Sequence, residues 1–126
     1  MARVLLVGLE PEAVDFTDPA LPPGLNAQKI HAGVALAIQD MTGRGWEATS
    51  LMFRPETATE LLQRHLWDHA YDCVVIGAGV RLPPRNLSLL EKVINAIAAA
   101  APGTPIAFNT IPQDSADAAA RWLAPG

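Results

Sequence analysis

The side chains best suited to chemistry lie in one segment, Gly77-Ala78-Gly79-Val80-Arg81-Leu82-Pro83-Pro84-Arg85-Asn86. Gly77 and Gly79 let a ligand approach the backbone closely, and Arg81 and Arg85 carry forked donors that match a phosphate or a carboxylate. A helix beginning just beyond them adds free N–H groups with the same preference for an anion. Gly77-x-Gly79 lacks the third glycine of a dinucleotide fingerprint. The competing use is structural, with the glycines turning the chain and the arginines pairing with acids of another loop. Asn109 and Thr110 offer neutral hydrogen bonds to the same ligand, or else end a strand and cap a helix.

A second segment, Leu9 to Leu25, combines prolines with Glu10, Glu12, Asp15 and Asp18 and with the apolar Phe16 and Leu21. Proline stiffens such a loop by narrowing its unfolded ensemble. It suits a semi-rigid lid in which Asp15 or Asp18 meets a hydroxyl or a cation, or a strap packed on the domain or on a second subunit. Lys29 and His31 follow close behind, and His31, with an ordinary pKa near ~6.5, is suited to proton transfer. Asp18 and His31 are thus the first catalytic candidates. No nucleophile stands with a base assigned to it, so no reaction and no cofactor are inferred.

Two other groups are set aside. His65 and His69 have the i, i+4 spacing of a shared metal, but His65-Leu66-Trp67-Asp68-His69 lacks the glutamate of the metalloprotease motif, and no metal site is expected. Cys73, at the start of an apolar strand, reads as inert packing.

The elements that must hold these residues follow from periodicity. Val4–Val7 and Cys73–Ile76 are short apolar runs followed by Gly8 and Gly77, as expected of strands buried on both faces. Residues 46–53 mix polar and apolar side chains, and Thr104–Asn109 carries Pro105, so both are expected at sheet edges. Helical periodicity places Ile30, Val34, Ala37, Ile38 and Met41 on one stripe, behind Asn26 as cap and ahead of Gly43 and Gly45. A second helix opens at Thr57 with Glu60 in a capping-box pattern and runs to about Ala70, burying Leu62, Leu66 and Ala70. A third turns Leu87, Leu90, Ile94, Ile97 and Ala101 inward. A fourth, about Asp114 to Leu123, is alanine-rich, with Trp122 expected to dock its end.

The alternation β-α-β-α-β-α-β-α predicts a small doubly wound α/β fold, a four-stranded parallel sheet with helices on both faces, as one domain over residues 1–126. Order 3-2-1-4 would bury the polar second strand and expose the apolar third, so the flavodoxin-like order 2-1-3-4 is expected. Ligands of such sheets bind beyond the strand carboxyl ends where the winding reverses, here between the first and third strands, which is where Leu9–Leu25 and Ala78–Asn86 emerge.

Likeness of architecture does not carry over a known chemistry. Gly8 and Gly77 stand where phosphoacceptor receiver domains need acids, Gly8-Leu9-Glu10-Pro11-Glu12 is no hydroxyl-rich flavin phosphate loop, and the cobalt-ligating histidine loop of cobalamin-binding domains is absent.

Composition bounds the remaining classes. The chain has 126 residues, 50% hydrophobic and 17% charged, with net charge −4 and one cysteine. That length supports a core without disulfides, and the lone cysteine fits a reducing compartment. Acidic balance without a Lys/Arg cluster argues against a nucleic-acid binder. Val4–Val7 is too short for a signal-peptide core or a membrane span, so a cytoplasmic protein with no membrane partner is expected. The leading expectation is a binder of an anionic small molecule, with Arg81 and Arg85 on the anion and Gly77, Gly79, Asn109 and Thr110 around it. The alternative is a homodimeric scaffold built on the proline-rich loop and the final helix, to which Trp46, Trp67 and Trp122 can contribute.

Overall fold

Successive side chains of a strand point to opposite faces, so a strand apolar at every position must be covered on both sides. In the computed structural model, which describes residues 1–123, Arg3–Leu9 (β1) and Cys73–Ile76 (β3) are buried almost throughout and pair with each other in the middle of the sheet. Glu47–Phe53 (β2) and Ile106–Phe108 (β4), both partly exposed, take the edges. All pairings are parallel and the order is β2-β1-β3-β4, a doubly wound α/β fold of flavodoxin-like order.

The alternation divides the core in two. Leu5, Val7, Val74 and Ile76 face Ala58–Asp68 (α2) and Leu87–Ala100 (α4) and form a closed layer with Phe53, Leu62, Val93 and Ile97. Val4, Leu6, Cys73 and Val75 face Ala27–Gly43 (α1) and Ser115–Ala120 (α5), a layer of smaller side chains built on Ala37, Met41, Ala116 and Ala119. Helix α1 begins as expected at Asn26, whose side chain accepts a hydrogen bond from Lys29 N at 2.9 Å. Its stripe has two halves: Ala37 and Met41 are buried beneath the sheet, whereas Ile30 and Val34, nearer the amino end, are only partly covered.

Several local expectations are corrected. Strand β1 runs through Gly8 to Leu9, because Leu9 keeps register with Phe53 of β2. The capping box at Thr57 does not form: the residue is helical (φ −114°, ψ −1°), and its hydroxyl turns back to Arg54 O at 3.3 Å. Helix α2 stops at Asp68, leaving Ala70 outside it and exposed. In α4 Ile97 is buried as expected and Leu90 and Ile94, with Ala101 just beyond the helix, pack half-buried on the core, but the most buried positions are Leu89, Val93 and Ala96, and Leu87 at the start of the helix is 62% exposed. Residues 78–86 are a helical turn, Ala78–Arg81 (α3), and a 3-10 turn, Pro84–Asn86. The last helix ends at Ala120, and Leu123 packs on the core while Trp122 stays 57% exposed. Strand β4 covers only residues 106–108 of the expected 104–109. No helix among the described residues is long and apolar enough to cross a membrane.

Candidate functional site

Beyond the carboxyl ends of β1 and β3 the backbone diverges, and the two long connections leave a cavity of about 360 Å³ between them. Its floor is the end of β1 around Val7 and Gly8 together with Gly77 and Ala78. Ile30 and Val34 of α1, Met52 near the end of β2, Leu82 and Ile111 supply its apolar walls. The segment after β1 supplies a roof, with Val14, Leu21, Pro22 and Leu25 directed at the cavity. Helix α1 comes close to the wall at Pro112, where a methyl group on Gly33 would meet the ring at 3.1 Å, so glycine is needed for that approach. Gly77 has a similar constraint, since a Cβ there would lie 3.2 Å from Val7 O.

The polar groups at this end are largely bonded to one another. Asn109, 2% exposed, accepts from Ala78 N at 2.8 Å and donates to Ser115 Oγ at 2.9 Å, fastening β4 to the start of α3 and to α5. Arg81 donates to Asn109 O at 2.9 Å, with its guanidinium 5.8 Å from the centre of the Phe108 ring. Thr110 donates through N and Oγ1 to Asp114. Burial works against the Asp114 carboxylate, but the hydrogen bonds from Thr110 and from Ile111 N outweigh it and hold its pKa below the ordinary range.

Ion pairs fasten the roof from outside. Arg85 bonds Asp15 at 2.9 Å and reaches Asp18 at 3.2 Å, Glu12 bonds His31 Nε2 at 2.7 Å, and Glu10 pairs with Arg54 at 2.9 Å. The carboxyl group of Asp15 titrates at about 2, held down first by the hydroxyl and amide of Thr17 and then by Arg85. Glu12 is likewise lowered, chiefly by its bond to His31. Arg85 and Asp15 also line a smaller cleft of about 290 Å³, which shares Leu9, Val14, Leu21 and Gly79 with the cavity.

Gly77, Gly79, Asn109 and Thr110 therefore stand on the cavity wall, as the switch-point position requires. Arg81, Arg85, Asp18 and His31 do not line it, and each has a partner within the chain. The cation on the wall is Lys29, whose Nζ donates to Gly24 O at 2.8 Å. Its place in the first turn of α1, one residue before the half-covered Ile30, is the sequence signal for it. The apolar walls had no separate signal, because Ile30 and Val34 continue the same helical stripe as the buried Ala37 and Met41.

Away from this end, His65 and His69 stack with ring centres 4.4 Å apart, and His65 Nε2 pairs with Tyr71 Oη at 2.6 Å. Among the described residues no group of three or more metal-ligating side chains is assembled. Burial pushes the Cys73 thiol up to about 11, which keeps it protonated and unreactive at neutral pH. No family model matches the chain, and no curated protein matches it in sequence.

Proposed function

We propose that this protein binds an anionic small molecule in the cavity at the carboxyl ends of β1 and β3, with Lys29 as the principal anion contact. The observation that carries this is the meeting of a partly open, mostly apolar cavity of about 360 Å³ with a lysine on its wall whose ammonium bonds a backbone carbonyl and no carboxylate among the described residues. A cavity of that size, apolar with few polar groups, is typical of small-molecule sites, and it lies at the topological switch point. The glycines at 77 and 79 keep the wall close to the backbone. Arg81 and Arg85 support the site indirectly, Arg81 by bracing the end of β4 and Arg85 by holding the roof.

The test is a thermal-shift panel of small carboxylates, phosphate and nucleotides on the native chain and on Lys29→Met. A ligand at about 100 times its dissociation constant adds roughly 2.7 kcal/mol, a rise of several degrees for a domain of this size. The proposal expects such a rise with at least one anion and its loss in Lys29→Met; a midpoint unmoved by every anion contradicts it. The homodimeric scaffold is the second reading, favoured by the exposed Phe16 of the roof segment and Trp122 beyond α5, 36% and 57% exposed. A sedimentation mass that stays monomeric up to high concentration would exclude it.

A further inference from the structure

The wall around Lys29 specifies what kind of anion fits. Leu82 and Ile111, large apolar side chains on the cavity wall, remain 45% and 50% exposed to solvent, a cost that an apolar ligand would relieve. Ile30, Val34 and Met52, also on the wall, add only hydrocarbon and thioether groups. Of the polar side chains on the wall, Lys29, Asn109, Thr110 and Gln113, only Lys29 carries a charge, and Asn109 and Thr110 are bonded to Ser115 and Asp114. The two nearby guanidiniums are engaged within the chain, Arg81 with Asn109 O and Arg85 with Asp15 and Asp18. A phosphate ester carries up to two charges and several strong acceptors, and it calls for an array of donors. One point charge at the edge of a wide apolar surface instead matches one negative charge on a hydrocarbon body.

We infer that the cavity takes a hydrophobic monocarboxylate, with its carboxylate on Lys29 Nζ and its body among Ile30, Val34, Leu82 and Ile111, an inference that rests on the anion-binding role proposed above. Gly79 lines the cavity as well as the neighbouring cleft. A Cβ built there meets nothing within 4 Å, and its φ is not positive, so a side chain at 79 projects into open space without backbone strain.

The experiment is differential scanning fluorimetry of the full chain with octanoate, octanol, inorganic phosphate and AMP, each titrated to saturation or to its solubility limit. Octanoate is expected to raise the midpoint with a saturable dependence, octanol to bind at least roughly tenfold more weakly, and phosphate and AMP to have no effect. Lys29→Met should weaken octanoate roughly tenfold and Lys29→Arg should restore most of it. Gly79→Leu should abolish the response while leaving the circular dichroism spectrum native, and Val34→Phe narrows the cavity from α1 should Gly79→Leu fail to fold. A rise with phosphate or AMP and none with octanoate overturns the monocarboxylate while leaving the anion-binding role standing. Equal responses to octanoate and octanol, an unchanged octanoate affinity in folded Lys29→Met, or silence from every probe overturns both.

Discussion

The two ends of the sheet solve the same problem differently. At the amino end the side chains close on one another: Tyr71 bonds His65, Arg3 lies 5.2 Å from the Tyr71 ring centre and pairs with Glu47, and Asp72 accepts from Arg3 N. At the carboxyl end long connections separate the helices from the strand ends, the polar groups are largely paired, and apolar side chains line a partly open cavity. Close packing is the norm for protein interiors, so a gap walled by large apolar side chains at the carboxyl end is where the proposed binding is to be tested.

The largest effect that separates the ends is expected from Asn109→Ala. It leaves Ala78 N and Ser115 Oγ without their buried partner and frees the cavity wall they hold, at about 2–3 kcal/mol in urea unfolding. Octanoate affinity should fall with it. Tyr71→Phe, at the closed end, removes one bond to His65 and should cost about 1 kcal/mol with octanoate affinity unchanged; a change in affinity would show that the ends are not independent.

Acid should act on the two ends in different windows. Burial, reinforced by the neighbouring His69, lowers the pKa of His65. The unfolded chain then binds the extra proton more readily, so this stability is complete above pH 6.5 and is lost as pH falls below it. Asp15 and Glu12 are also lowered, so their contribution is complete above their ordinary values and declines as pH drops, for Asp15 towards about 2. In unfolding curves recorded against pH, His65→Gln should remove the upper step and leave the lower one, and Asp15→Asn the converse. Both mutants keeping both steps would refute the assignment.

The smallest expected effect on stability is that of Arg85→Met. Its partners are partly solvated, so the unfolding midpoint should barely move. The roof, however, loses its contacts to both Asp15 and Asp18, and hydrogen exchange of amides in residues 10–25 should quicken several-fold relative to those of α2. Exchange unchanged in that segment would mean that apolar contacts of Val14 and Leu21 hold the roof unaided.

The sequence revealed where a site would stand better than what it would be made of. Strand order could be read because burial of β1 and β3 shows in unbroken apolar runs, and the switch-point rule then located the cavity without any motif. The partners of Arg81 and Arg85 could not be read, since they depend on how residues 10–25 fold back and on where β4 ends. Thr57 shows the same limit locally: its spacing to Glu60 suits a capping box, but the turn from Arg54 fixes a backbone conformation that forbids it. In α4 the helix, its length and the contacts of Leu90, Ile94 and Ile97 were evident, whereas the deeper burial of Leu89 and Val93 and the exposure of Leu87 are set by packing against α2 and the sheet.

The most direct measurement is a titration of uniformly 15N-labelled protein with octanoate, followed by backbone amide chemical shifts. Saturable shifts should concentrate at Gly8, Ile30, Val34, Gly77 and Gly79, with His65, Tyr71 and Asp72 at the opposite end unmoved. Shifts centred on the amino end, or spread over the surface without saturation, would contradict a binding cavity at the carboxyl ends of β1 and β3.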